Sequence, residues 1–134
     1  MRLYFIDTWY LVALFDPFDS HHRQARRLEM AIGNSEFVTH DGVLTEFLAA
    51  VSRGDESQRA AAVRIVRDVM RRVTVVEADR DLFLRAVDLY ANRPDKHYSL
   101  ADCMSMLVMK DRNISHVLTN DHHFRQEGFT VVNE

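Results

Sequence analysis

The apolar run Leu3-Tyr4-Phe5-Ile6, followed at once by Asp7, is the stretch that decides the fold of this chain. A short apolar run of this kind predicts a buried strand, and helix-forming sequence follows it without a linker. A second apolar run reaches Leu118 near the other end of the chain, and Asp121 comes shortly after it. A carboxylate beside a buried strand is costly unless hydrogen-bond donors or a cation compensate its charge. These two strand ends are therefore the first candidates for a functional site.

Segments of strand length alternate with segments of helix length along the sequence. We predict strands at residues 2–6, 36–39, 73–77, 115–118 and 129–132. We predict helices at residues 8–15, 21–32, 42–53, 55–72, 79–91 and 99–112, and a short helical piece at 121–127. Asp19 or Ser20 is the expected cap of the second helix, and Asp41 that of the third. This alternation predicts an α/β fold, a three-layer α/β/α sandwich with a mostly parallel central sheet.

Length and composition favour one globular domain, which we expect to span residues 1–134. The chain has 134 residues, of which 47% are hydrophobic, and this is enough to build a core. The apolar runs are too short to span a membrane, and the first one is too short for a signal peptide. The single cysteine, Cys103, excludes an internal disulfide and fits a reducing compartment, so we expect a cytoplasmic location.

Two further acidic residues lie in apolar helical contexts. Val43 and Ala50, the neighbours of Glu46 one turn away on either side, are apolar, so we expect Glu46 to point toward or beside the core. Asp102 lies in a helix that is apolar almost all round. Ordinary roles are also open: a helix cap for an acid at a strand end, an exposed edge position for Glu46, and a capping box with Ser99 for Asp102.

The acids form a set that indicates a divalent metal site: Asp7, Glu46, Asp102 and Asp121. In open parallel sheets, ligands bind beyond the carboxyl ends of the strands. Asp7 and Asp121 are expected at such ends. Ionised carboxylates that share a pocket repel one another, and Mg²⁺ or Mn²⁺ would neutralise them. Two such ions about 3.5–4 Å apart can activate water and stabilise the leaving oxygen of a phosphodiester.

The motifs around these acids resemble those of the PIN domain, of the kind found in VapC-type ribonuclease toxins. They are Ile6-Asp7-Thr8, Thr45-Glu46, Ser99-Leu100-Ala101-Asp102-Cys103 and Thr119-Asn120-Asp121-His122-His123-Phe124. The resemblance covers essentially the whole chain. One departure is Ala101, where many relatives carry threonine, which removes a hydroxyl near the site but no ligand.

The resemblance implies a metal-dependent endoribonuclease, the toxin of a type II toxin–antitoxin pair. It implies that Asp7, Glu46, Asp102 and Asp121 are both the catalytic and the metal-binding residues. It also implies supporting hydroxyl groups that orient these carboxylates, from Thr8, Ser99 and Thr119. The implied partners are an RNA substrate, an antitoxin protein and a second copy of the chain in a homodimer.

Basic and histidine side chains are candidate RNA contacts. Arg23, Arg26 and Arg27 share one face of the second predicted helix and could hold phosphates, although a solvated, salt-bridged face is the commoner outcome. His122 and His123 lie near the expected crevice and are possible substrate contacts rather than ligands of a softer metal.

Two functions of other classes compete with the nuclease. A catalytically silent PIN-like module that binds RNA or protein is the first alternative, and the complete set of acids argues against it. A phosphoacceptor domain is the second. It requires a suitably placed lysine, and neither Lys96 nor Lys110 follows a predicted strand.

Overall fold

The computed structural model describes residues 2–134. Strands and helices alternate through this range, with two helices in succession at three points. The strands are β1 (Leu3–Ile6), β2 (Glu36–His40), β3 (Thr74–Val76), β4 (His116–Leu118) and β5 (Thr130–Val132). The helices are α1 (Thr8–Phe15), α2 (His22–Ile32), α3 (Asp41–Ala50), α4 (Glu56–Arg72), α5 (Arg80–Ala91), α6 (Leu100–Asp111) and α7 (His123–Gln126).

The strands form one parallel sheet in the order β3-β2-β1-β4-β5. Phe5 of the central strand lies opposite Val38 on one side and Val117 on the other, and all three side chains are buried. Parallel strands need crossover connections, and the helices that supply them cover the sheet. The predicted α/β fold with a parallel central sheet is confirmed.

Strand direction brings separated parts of the sequence to one edge of the sheet. Because β1 and β4 are adjacent and parallel, the residues that follow them are neighbours, and the backbone N–H of Asp7 donates to the carbonyl of Leu118 at 3.3 Å. On the other side of β4, the N–H of Thr119 donates to the carbonyl of Val132. The carboxyl edge of the sheet therefore begins with Asp7 and Thr119 side by side.

The start of the second helix differs from the prediction. Helix α2 begins at His22 after His21, and no side chain caps it. The Asp19 carboxylate instead accepts from the backbone N–H of His21 at 2.8 Å, which closes a turn before the helix. Ser20 contacts the ring of His21 rather than a helical N–H. The predicted cap at Asp19 or Ser20 is therefore wrong.

The third helix is capped by a histidine. His40, not Asp41, is the N-cap of α3, and its Nδ1 accepts from the N–H of Gly42 at 3.0 Å. Asp41 is the first helical residue, and its carboxylate accepts from the N–H of Ala78. The helix also ends at Ala50, earlier than predicted.

Large apolar side chains from the sheet and from both flanking layers build the core. Phe5, Phe47, Phe124, Met106 and Met109 are among the largest that are fully buried. Cys103 is buried as a free thiol, as expected. Within residues 2–134, none of the helices has the length and hydropathy to cross a membrane.

The N-cap of α4 gives a test of how the longest helix is stabilised. The Asp55 carboxylate accepts from the N–H of Gln58 at 2.8 Å. Replacing Asp55 by Ala should lower the free energy of unfolding by about 1 kcal/mol, because that donor loses its partner. Urea denaturation measures the change, and Asp55→Asn, which keeps an acceptor, should retain most of the stability. Equal losses in both variants would contradict the capping role.

Candidate active site

Asp7 lies between the central strand and the first helix and is the most buried of the four acids. It is the N-cap residue of α1, yet its side chain makes no capping hydrogen bond. The Thr119 hydroxyl donates to its Oδ2 at 2.6 Å, and the side chain is only 8% exposed. The carboxylate is thus held by a neighbouring strand end and is free of the ordinary capping role.

The electrostatics of Asp7 show that two of the other acids are near it. Burial raises the pKa of Asp7 from 3.8 to about 6, against the opposing hydrogen bond from Thr119. The negative charges of Asp102 and Glu46 contribute smaller parts of this increase in the pKa. The carboxylate that follows β1 is therefore close enough to carboxylates on α3 and α6 to feel their charge at this edge of the sheet.

Asp102 lies in the first turn of α6 and forms a capping box with Ser99. The Ser99 hydroxyl accepts from the N–H of Asp102, and Asp102 Oδ2 accepts from the N–H of Ser99, both at 3.0 Å. Desolvation raises the pKa of Asp102, and the charges of Asp121 and Glu46 add to this. The two roles weighed for this residue are compatible, since the half-buried carboxylate both caps its helix and faces the other acids.

Glu46 occupies the exposed edge position, one of the two alternatives that the sequence left open. Its side chain is exposed rather than directed at the core, because the buried stripe of α3 runs through Val43, Leu44 and Phe47 and leaves position 46 beside it. The Thr8 hydroxyl donates to Glu46 Oε1 at 2.8 Å. Glu46 therefore reaches the site from the solvent side and is tied to the residue that follows Asp7.

Asp121 occupies the loop between β4 and α7. Its backbone N–H donates to the Thr119 hydroxyl at 3.1 Å, and its Oδ1 accepts from the N–H of His123 at 2.9 Å. The same threonine hydroxyl donates to Asp7. Thr119 thus connects the first and the last of the four acids.

The structure adds a histidine to this cluster. Asp102, Asp121 and His123 each offer a ligand atom within 4.8 Å of the others. His123 Nδ1 lies 3.1 Å from Asp121 Oδ1 but forms no hydrogen bond within the described residues, and the ring packs edge-on against Tyr98. From the sequence, His123 is predicted to be a substrate contact rather than a metal ligand, whereas the structure places its ring beside two of the acids. Its position two residues after Asp121 is the sequence signal for this proximity.

The other candidate RNA contacts lie on exposed surfaces. His122 is exposed, and its Nδ1 lies 3.0 Å from a guanidinium nitrogen of Arg125. Arg23, Arg26 and Arg27 are exposed on α2, and Arg26 pairs with Glu29 at 3.6 Å. No ion pair among residues 2–134 joins these arginines to the four acids. The role of these arginines and histidines as RNA contacts stays a prediction.

The donor set fits a hard divalent cation. Among the described ion pairs, no lysine or arginine neutralises any of the four acids, and His123 is the one basic side chain close to them. Carboxylate oxygens are the ligands that Mg²⁺ and Mn²⁺ prefer, and a nitrogen donor suits Mn²⁺ better than Mg²⁺. An arrangement of this kind can bind a cation and present it to a phosphodiester.

The chain is similar in sequence and in fold to known proteins. The family model described as "PIN domain" matches residues 4–129. The 23S rRNA-specific endonuclease VapC20 of Mycobacterium tuberculosis is 28% identical over 128 residues, 96% of each chain. Its crystal structure, described as that of a sarcin–ricin loop cleaving toxin, superposes with a TM-score of 0.86 at 26% identity over 98% of this chain and 99% of that one. The structure of VapBC2 from Rickettsia felis bound to a promoter DNA fragment shares the fold, with a TM-score of 0.71 at 14% identity and 98% coverage of both chains.

The raised pKa of Asp7 predicts a pH dependence of stability in the absence of metal. Between about pH 4 and pH 6 the folded protein keeps a proton on Asp7 that the unfolded chain releases, so the free energy of unfolding falls as the pH rises. Asp7→Asn removes the charge, so its free energy of unfolding at pH 7 should exceed that of the wild type by up to about 3 kcal/mol. The two free energies should converge below about pH 4.

Denaturant unfolding in a chelating buffer at several pH values measures this difference. Asp95→Asn, at an exposed position, is the control and should follow the wild-type profile. A wild type that is as stable as Asp7→Asn at pH 7 would show that the carboxylate carries no burial penalty.

Proposed function

This chain belongs to the PIN domain family, and from that premise we propose that it is a metal-dependent endoribonuclease, the toxin of a type II toxin–antitoxin pair. The observation that carries the proposal is the convergence of Asp7, Glu46, Asp102 and Asp121 at the carboxyl edge of the sheet, where burial and mutual repulsion raise the pKa values of Asp7 and Asp102. Similarity to an endonuclease over nearly the whole chain supports the same activity.

The four acids would hold Mg²⁺ or Mn²⁺, and three hydroxyl-bearing residues keep them in place. Thr119 fixes Asp7 through its donated hydrogen bond, and Thr8 fixes Glu46 in the same way. Ser99 orients Asp102 through the capping box. Partners of this kind set the direction of a carboxylate and its affinity for a metal. When bound, the cation supplies an activated water and stabilises the charge that develops on the phosphate.

We take RNA as the substrate, with ribosomal RNA the first class to test because the similar endonuclease is named for 23S rRNA. His122 and His123 would contact the RNA near the acids. Arg23, Arg26 and Arg27 would hold its phosphates farther along α2, as exposed guanidinium groups do in other complexes. A cytoplasmic location accords with the substrate and with the unpaired thiol of Cys103.

Two protein partners complete the proposal. An antitoxin is supported by the shared fold with VapBC2 and with a chain from a toxin–antitoxin complex of Klebsiella pneumoniae. A second copy of the chain is supported by α5, which exposes a stripe of large apolar side chains at Phe83, Leu84, Val87 and Tyr90. A symmetric contact through such a stripe would remove it from water.

Loss of a single acid tests the metal-dependent activity. Asp102→Asn should reduce Mn²⁺-dependent cleavage of RNA by at least about 100-fold, because the site loses a ligand charge. Added Mn²⁺ should raise the melting temperature of the wild type by an amount that grows with the Mn²⁺ concentration. This rise should be absent in the variant. Asp95→Asn, which leaves the site untouched, is the matched control for both assays. Cleavage retained by Asp102→Asn would overturn the assignment, and RNA or metal binding without cleavage by the wild type would favour a silent binding module.

The α5 stripe gives a prediction for the oligomeric state. Light scattering on the eluting protein should give twice the 15.6 kDa mass of one chain. Leu84→Asp should shift the protein to the monomer, because a charge in an apolar contact loses its hydration. Met30→Asp changes another exposed apolar side chain, outside the stripe, and should leave the dimer intact. A monomeric wild type would contradict the proposed homodimer.

A further inference from the structure

His40 is a fully buried histidine that the nuclease site as described above does not use. It ends β2, has no exposed surface, and packs its ring against Phe5 of the central strand at 5.8 Å between centroids. Burial lowers its pKa to about 4, so the ring is neutral over the physiological range of pH. A neutral imidazole at the centre of a protein needs a donor and an acceptor placed for it.

Both ring nitrogens have such partners, and the partners define the tautomer. The N–H of Gly42 donates to Nδ1 at 3.0 Å, so the ring proton is on Nε2. Nε2 lies 2.8 Å from the Ser105 hydroxyl and donates to it. The Ser105 hydroxyl in turn donates to the carbonyl of Ala101 at 3.0 Å. The result is one continuous hydrogen-bonded chain from the first turn of α3 to the first turn of α6.

The elements at the two ends of this chain both carry acids of the site. Glu46 lies on α3, one turn beyond the N-terminal segment that His40 caps. Asp102 follows Ala101, whose carbonyl is the last acceptor in the chain. The ring therefore fixes the separation of two helices that approach the site from different sides.

The backbone at position 42 packs closely against the His40 ring. A Cβ at Gly42 would lie 2.7 Å from Cε1 and 2.9 Å from Nδ1 of His40. These distances are shorter than real contacts, and the ring is fully buried and hydrogen-bonded at both nitrogens, so moving it aside would break those bonds. Gly42 is thus required for His40 to stand where it does.

We infer that His40 is a positioning residue of the metal site, and that it sets metal affinity by holding the helix of Glu46 at a fixed spacing from Asp102. The inference rests on the proposed function, since it concerns the same acids. A histidine that merely fills the core would contribute to stability without changing the affinity of the folded protein for metal.

Two variants separate bridging from capping and from folding. His40→Asn keeps a side-chain acceptor for the N–H of Gly42, because asparagine is a favoured N-cap, but it is too short to reach Ser105. Ser105→Ala leaves the ring in place and removes the link to Ala101. Both should weaken Mn²⁺ binding about 10- to 100-fold, as loss of an orienting group does, and excess Mn²⁺ should restore part of the RNA cleavage.

Titration calorimetry with Mn²⁺ and denaturant unfolding on the same samples test the inference. Asp55→Ala is the matched control, since it destabilises a helix cap away from the acids and should bind Mn²⁺ as the wild type does. The double variant should bind about as weakly as either single one, because both break one chain of bonds. If the wild type binds Mn²⁺ and both Ser105→Ala and His40→Asn bind it with unchanged affinity, the role of His40 is overturned while the proposed function is not. A wild type that binds no Mn²⁺ would overturn the proposed function as well.

Discussion

Mutual repulsion among carboxylates at one edge of a parallel sheet is the constraint that the rest of this structure has to meet. Asp7, Asp102 and Asp121 approach one another in a partly buried space, and burial alone already disfavours the ionised forms of Asp7 and Asp102. The fold meets the constraint with rigid attachments. Asp7 and Asp121 come after strands, and Glu46 and Asp102 lie within helices, so backbone hydrogen bonds of the sheet and helices hold the acids in place against the repulsion.

The attachments share a chemical logic. Within the part of the chain that the structure describes, neither lysine nor arginine contacts the acids: the hydroxyls of Thr119 and Thr8 donate to Asp7 and Glu46, and the backbone N–H of Ser99 donates to Asp102. A hydroxyl orients a carboxylate without neutralising it, whereas a guanidinium would lower its pKa and compete with a cation. The carboxylates are therefore held in fixed orientations, and their negative charge remains available to a cation. Ala101, where many relatives carry threonine, removes none of these three contacts.

Local sequence was a good guide to features that depend on a few adjacent residues. The strand ends at Asp7 and the capping box at Asp102 follow from short-range patterns, and both are present in the structure. For Glu46 the sequence left both a core-facing and an exposed edge position open, and only tertiary packing, which leaves Ala50 exposed, decides between them. The cap of α3 was assigned to Asp41 because acids are common caps, whereas His40 is preferred through a bond to Ser105, 65 residues away. No local pattern encodes a contact of that separation.

The close packing of the His40 ring against the backbone of Gly42 limits how such sequences can diverge. Any side chain larger than glycine at position 42 collides with the imidazole, so the two positions cannot change independently. A descendant that loses Gly42 must first, or simultaneously, replace His40 by something smaller, and it then forfeits the link to Ser105. Positions 40, 42 and 105 should therefore covary as a triplet among homologues. Chains that lack the histidine need another way to keep α3 and α6 in register.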